Sequence, residues 1–162
     1  MTQCDRHVLD HPAKNFYNAP MDIRRITPDY AVSPQIAPGD LPAIAAEGFT
    51  TVLCNRPDAE VPLELQAQAL KIATEAAGLR FEILPLVHDT LAQSVDQQMA
   101  MISASNGPVL AYCASGTRCS IIWSLGQVGD METDDIIAAT AKVGYDLSNL
   151  RPQLDALAKA KD

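Results

Sequence analysis

Apolar residues recur along this chain with two spacings, and the chain switches between them in a regular order. Through positions 23–33 apolar and polar residues alternate, which predicts two short extended pieces around a turn at Thr27-Pro28-Asp29. Pro38-Gly39-Asp40 then opens a helix whose apolar stripe includes Leu41, Ile44 and Ala45, and Gly48 ends it. Positions 49–54 are apolar and β-branched, as a strand buried on both faces requires. A polar loop, Asn55-Arg56-Pro57-Asp58, leads into a helix over 62–77 stopped by Gly78, and a further strand is expected over 80–86. Ser94 followed by Gln97 has capping-box spacing, so a helix is expected over 94–105, ended by Asn106-Gly107-Pro108. Positions 109–112 form a strand that runs straight into Cys113 and then a helix through Ile121, Ile122, Trp123 and Leu125. Two helices close the pattern, one over 133–143 with Thr133 as N-cap and one over 148–159.

Strands alternating with helices predict an α/β fold: a mostly parallel sheet of about four or five strands, flanked by helices and joined by right-handed crossovers. Residues 1–20 lack periodicity and contain Pro12 and Pro20, so they read as a flexible N-terminal arm ahead of a single domain over 21–162.

Composition narrows the function classes. The chain has 162 residues, 48% hydrophobic and 20% charged, with aromatics at only 5%, so its core must rest on Ala, Leu, Ile and Val. No apolar run approaches the roughly 20 residues of a membrane helix, and the first 20 residues contain no signal-peptide core. A cytoplasmic protein without membrane contact is expected. The formal net charge is −8 and Lys and Arg form no cluster, which argues against nucleic acid and in favour of a small anionic substrate. Four cysteines, Cys4, Cys54, Cys113 and Cys119, include no Cys-x-x-Cys pair. Neither a metal site nor a disulfide framework is expected, and no cofactor is implied.

The chemistry concentrates in Cys113-Ala114-Ser115-Gly116-Thr117-Arg118. Functional loops of a parallel sheet gather at the carboxyl ends of its strands, and this loop sits between a strand and a helix N-terminus. Unpaired amides of the first helical turn would point at the thiol. The helix dipole and Arg118 would favour a thiolate. Gly116 permits the backbone angles that curl successive N–H groups into an anion nest, with Ala114, Ser115 and Thr117 completing it. Cys113 is therefore the expected nucleophile and Arg118 its cationic partner.

Several stretches resemble the phosphatase-like domain family found in beta-lactamase hydrolase-like proteins. They are Met21-Asp22-Ile23-Arg24-Arg25-Ile26, Ala31-Val32-Ser33-Pro34-Gln35, Asn55-Arg56-Pro57-Asp58, and Ala111-Tyr112-Cys113 with Ser115-Gly116-Thr117-Arg118. The resemblance implies a fold similar to dual-specificity phosphatases with the cysteine loop as active site. The family usually carries Arg where this chain has Ala114, Ser where it has Cys119, and a Gly-rich segment in place of Val87-His88-Asp89-Thr90.

Tyrosine phosphatases separate Cys and Arg by five residues, whereas four intervene here, a spacing similar to rhodanese-type sulfurtransferases. A tighter cup suits a terminal persulfide sulfur better than a phosphoryl group, whose three equatorial oxygens all need donors. Some family members are fused to domains of sulfide metabolism. The sequence therefore ranks sulfur transfer through a Cys113 persulfide ahead of phosphate monoester hydrolysis through a phosphocysteine, with a non-enzymatic anion-binding or interaction domain as a third class. Hydrolysis would need a general acid, for which Asp89 is the candidate and His88 the reserve. Accessory roles are open to Cys54 as a resolving thiol, Ser120 as a hydrogen-bond donor to Cys113, and Arg56 as a partner of Asp58 or of the anion. Asp58 itself reads as a turn or cap former, and Cys119 and Trp123 as core.

Overall fold

A computed structural model describes residues 21–162; the expected N-terminal arm, with Cys4, lies outside the described residues. Five strands form one mixed sheet: β1 (Arg24–Thr27), β2 (Tyr30–Ser33), β3 (Thr51–Cys54), β4 (Arg80–Ile83) and β5 (Val109–Tyr112), in spatial order β1-β2-β5-β3-β4. β1 and β2 form an antiparallel hairpin, and all other pairings are parallel. The hairpin turn is set by Thr27, whose Oγ1 accepts from the amides of Asp29 at 3.2 Å and Tyr30 at 3.1 Å.

The sheet is covered on both faces. Helices α1 (Leu41–Ala46) and α2 (Ala67–Ala76) bury Leu41, Ile44 and Leu70 against Val52, Leu110 and Tyr112. On the opposite face lie α3 (Val95–Ser103), α4 (Thr117–Gly126), α5 (Thr133–Ala141) and α6 (Arg151–Ala160). There Ile122, Trp123, Ile136 and Leu154 pack with Leu53, Ala111 and Cys113. Alternate residues of one strand point to opposite faces, so Tyr112 belongs to the first layer and Cys113 to the second. Among the described residues no helix is long and apolar enough to cross a membrane.

Helix starts deviate from the sequence expectation for local reasons. α2 begins at Ala67 rather than near position 62, because two 3-10 turns, Asp58–Glu60 and Leu63–Leu65, precede it. Asp58 reaches nine residues forward, its Oδ1 accepting from the Ala67 amide at 2.8 Å, and so caps α2 from a distance. Ser94 closes a 3-10 turn in helical backbone geometry and makes no side-chain cap bond, so the capping box does not form. Thr133 is the first helical residue of α5 rather than its cap.

A buried polar network spans the core beneath the sheet's carboxyl edge. Asn55 Nδ2 donates to the Leu84 carbonyl at 2.8 Å and to Gln98 Oε1 at 2.9 Å, and Gln98 Nε2 returns a bond to Asn55 Oδ1 at 3.1 Å. Gln98 also donates to the Tyr30 hydroxyl at 3.4 Å, which in turn donates to the Cys119 carbonyl at 2.9 Å. The network ties α3 to β3, β4 and the first turn of α4, so that the start of α4 is fixed relative to the strand ends. Removing one amide strands its partners in a water-free site. Gln98→Ala is expected to lower unfolding free energy by about 2 kcal/mol in urea titration, with an exposed control such as Gln93→Ala unchanged.

Candidate active site

The central position of β5 decides what surrounds Cys113. Its neighbours β2 and β3 run parallel and end level with it, Ser33 and Cys54 both pairing with Tyr112. Chain leaving β2, β3 and β4 therefore emerges around the same point. Backbone bonds lock that junction: Cys113 N–H to the Ser33 carbonyl at 3.4 Å, Gln35 N–H to Ala114 at 3.4 Å, and Asn55 N–H to Tyr112 at 2.9 Å.

Cys113 is fully buried, while Ala114 and Ser115 on the rim of its loop are exposed. The Gly116 amide donates to Cys113 Sγ at 3.1 Å, and the amides of Cys119 and Ser115 also serve it. Burial alone would push a thiol upward. Here the Cys119 thiol contributes most against that penalty, followed by the backbone amides, and the Cys113 pKa falls to about 5. Cys119, buried and donating its proton, is pushed up in turn, first by burial and then by Cys113. Gly116 has φ +89°, and a Cβ there would collide with the Tyr145 hydroxyl. That hydroxyl donates to the Ser115 carbonyl at 2.8 Å, and Arg24 stacks 4.9 Å from the Tyr145 ring centroid. Loop curvature is thus imposed from outside as well as by the glycine.

Arg118 is only 8% exposed. Its Nη1 donates to Glu60 Oε2 at 2.8 Å and to the Leu86 carbonyl at 2.8 Å, and its Nη2 donates to Glu60 Oε1 at 2.7 Å. Glu60 is braced from the other side by Arg56, whose Nε donates to Oε1 at 3.0 Å. Arg118 holds the Glu60 carboxyl below the usual range, while Glu60 and then Cys113 keep the guanidinium charged. Arg56 pairs with Glu60 and not with Asp58. Glu60 was absent from the sequence reading; the four-residue spacing from Arg56 was its only local signal.

Other expected participants lie elsewhere. Ser120 Oγ donates to the Gly116 carbonyl at 2.8 Å and so does not serve Cys113. The reason is its position one turn beyond Gly116, where a hydroxyl bonds back to the i−4 carbonyl. The donor to Cys113 is Cys119, one residue earlier and assigned from sequence only to the core. Cys54, expected as a resolving thiol, is paired with Tyr112 and projects to the opposite face of the sheet from Cys113, where its thiol donates to the Arg56 carbonyl at 3.4 Å and burial raises its pKa. His88 and Asp89 are exposed on the turn after Leu86, and neither makes a described hydrogen bond to the loop. His88 and Thr117 share a concavity of about 510 Å³ bounded by Leu91, Ile121 and Leu147, so the turn borders the loop. Among the described residues no group of three or more His, Cys, Asp or Glu is placed to hold a metal ion.

A buried thiolate under first-turn amides, at the carboxyl end of the central strand of a helix-flanked mixed sheet, is the architecture of the cysteine-phosphatase fold. Tk-PTP in its active form shares that fold, with a TM-score of 0.63 over 87% of this chain and 98% of its own at 14% identity. Residues 22–130 match the family described as "Beta-lactamase hydrolase-like protein, phosphatase-like domain". The chain belongs to that family. A candidate phosphatase from Neisseria meningitidis superposes with a TM-score of 0.75 at 33% identity, covering 84% of this chain and 98% of that one. The beta-lactamase hydrolase-like protein of Agrobacterium fabrum is 32% identical over 123 residues, 72% of this chain and 27% of that protein. Its Xylella fastidiosa counterpart is 28% identical over 130 residues, 78% of this chain and 30% of that protein. The chain thus spans under a third of the length of these curated relatives.

Two outcomes test this site. Alkylation of Cys113 by iodoacetamide should accelerate with pH through a midpoint near 5 and be fast at pH 6, where an ordinary thiol is almost wholly protonated. Cys119→Ala removes the largest stabiliser of the thiolate, so the midpoint should rise to about 6 or above, while Cys119→Ser should keep it lower.

Proposed function

We propose that this chain hydrolyses phosphate monoesters through a phosphocysteine at Cys113. The carrying observation is the buried sulfur held as a thiolate by convergent N–H and S–H donors. In the first step the thiolate attacks phosphorus, the bond to the ester oxygen breaks, and a proton passes to the departing alkoxide. Asp89, on the turn that borders the loop, supplies that proton. In the second step Asp89 accepts a proton from water as it attacks the phosphocysteine, releasing inorganic phosphate and restoring the thiolate. Amides of the loop and Arg118 stabilise the equatorial oxygens in both steps. Membership of a phosphatase-like family supports phosphate esters as the substrate class, which reverses the ranking drawn from loop length.

Sulfur transfer through a Cys113 persulfide stands as the second reading, and one observation favours it. Neither His88 nor Asp89 bonds to the loop, and a sulfane donor such as thiosulfate expels a stable anion that needs no acid.

Aryl phosphate hydrolysis and thiosulfate-to-cyanide transfer, measured side by side, separate the two. The wild type should hydrolyse the ester, Cys113→Ser should abolish turnover, and Asp89→Asn should lower kcat about 100-fold on esters with poor leaving groups, less on activated ones. Thiosulfate turnover without ester hydrolysis would contradict the phosphate reading.

A further inference from the structure

Arg118 carries five N–H donors, and the structure accounts for three of them. Glu60 takes the end edge of the guanidinium with two parallel bonds of 2.8 and 2.7 Å, and the Leu86 carbonyl takes the outer Nη1 proton at 2.8 Å. The remaining two, Nε–H and the second Nη2–H, meet no oxygen or nitrogen acceptor among the described residues. They form the side edge of the guanidinium, a parallel pair with the spacing of two oxygens on one tetrahedral centre. Cys113 lies within interaction range of the same guanidinium, and the donors left to meet it belong to this side edge.

The carboxylate is itself immobilised. Arg56 Nε reaches Glu60 Oε1 at 3.0 Å and Arg56 Nη2 reaches the Glu60 carbonyl at 3.2 Å, while Arg56 Nη1 extends to Gln35 Oε1 at 3.5 Å. Gln35 in turn bonds the Ala114 carbonyl of the cysteine loop through its amide. A chain of contacts therefore runs from the loop after β2, through the loop after β3, to the arginine that follows β5.

We propose that Glu60 is a positioning residue of this site: by clamping the end edge of Arg118 it presents the side edge to a tetrahedral oxyanion seated above Cys113. The inference rests on the phosphate reading of the site and adds a residue to it. Without the clamp, the guanidinium would rotate about its last side-chain bonds, and the two side-edge donors would no longer converge on one anion. Glu60 also offsets the Arg118 charge, so anion recognition depends on oriented donors more than on net positive charge. Alignment matters most where charge develops, so its loss falls mainly on the transition state.

The test uses inorganic tungstate as an oxyanion probe that protects Cys113 from iodoacetamide, alongside aryl phosphate kinetics. Glu60→Ala and the same-sized Glu60→Gln are compared with wild type, with thermal melting to confirm folding. Tungstate should protect the wild type, and both variants should need about tenfold more of it. Their kcat should fall by about ten- to a hundredfold, more than KM rises. Alkylation at saturating pH should stay at the wild-type rate, since Glu60 does not touch the sulfur; a merely structural role would move melting temperature and alkylation together. Folded variants that bind tungstate as tightly as wild type, or more tightly, would overturn the role of Glu60 and show it to be a competitor for Arg118. Failure of tungstate to protect even the wild type would instead remove the phosphate reading beneath it.

Discussion

The whole arrangement depends on keeping one buried sulfur ionised. Burial opposes a thiolate, and here the opposition is overcome by the Cys119 thiol and three backbone amides that all point inward. None of these donors is free to turn away. Cys119 is fixed through its carbonyl by Tyr30, Gly116 is held in left-handed geometry beneath Tyr145, and the strand feeding the loop is central in the sheet. Donor orientation is thus settled by folding before any anion arrives, which is the condition under which electrostatic stabilisation costs no reorganisation during a reaction.

Around that sulfur the charges are arranged in alternation. Arg118 stands between the Cys113 thiolate and the Glu60 carboxylate, and Arg56 stands on the far side of Glu60. Arg118 is buried and Glu60 half-buried, so part of what the pair gains is spent on desolvating its charges. Its consequence is geometric: a planar group with two hydrogen-bonding edges has one of them occupied. On the proposed reading, the acidic chain, with its net charge of −8, receives an anion through these local donors without an extended basic surface. The loop's four-residue spacing, read from sequence as a tighter cup better suited to a persulfide sulfur than to a phosphoryl group, is supplemented by the Cys119 thiol, a donor just outside the loop.

Local patterns made much of this legible. Alternation, β-branched runs and glycine stops locate all five strands and six helices to within a few residues, and the strand-Cys-Gly-Arg-helix order marks the loop. What escaped depends on contacts between distant segments. Asp58 caps a helix nine residues away, a reach no capping template contains. Glu60 meets Arg118 across 58 residues. The exchange of roles between Ser120 and Cys119 turns on one residue of helical rotation. Cys54 and Cys113 both sit at the same edge of the sheet, yet the register pairing Cys54 with Tyr112 places them on opposite faces. Side-chain parity is fixed within a strand, but the pairing register between strands is not written in either one alone.

The central claim is that Cys113 becomes covalently phosphorylated. Rapid acid quench of the protein during turnover of an aryl phosphate, followed by mass spectrometry of the peptide bearing Cys113, tests it most directly. The account predicts a gain of about 80 Da on that peptide, as covalent catalysis by a thiolate requires, and no such gain in Cys113→Ser. A gain of about 32 Da after thiosulfate with no phosphoryl adduct, or an unmodified Cys113 under both conditions, would contradict it.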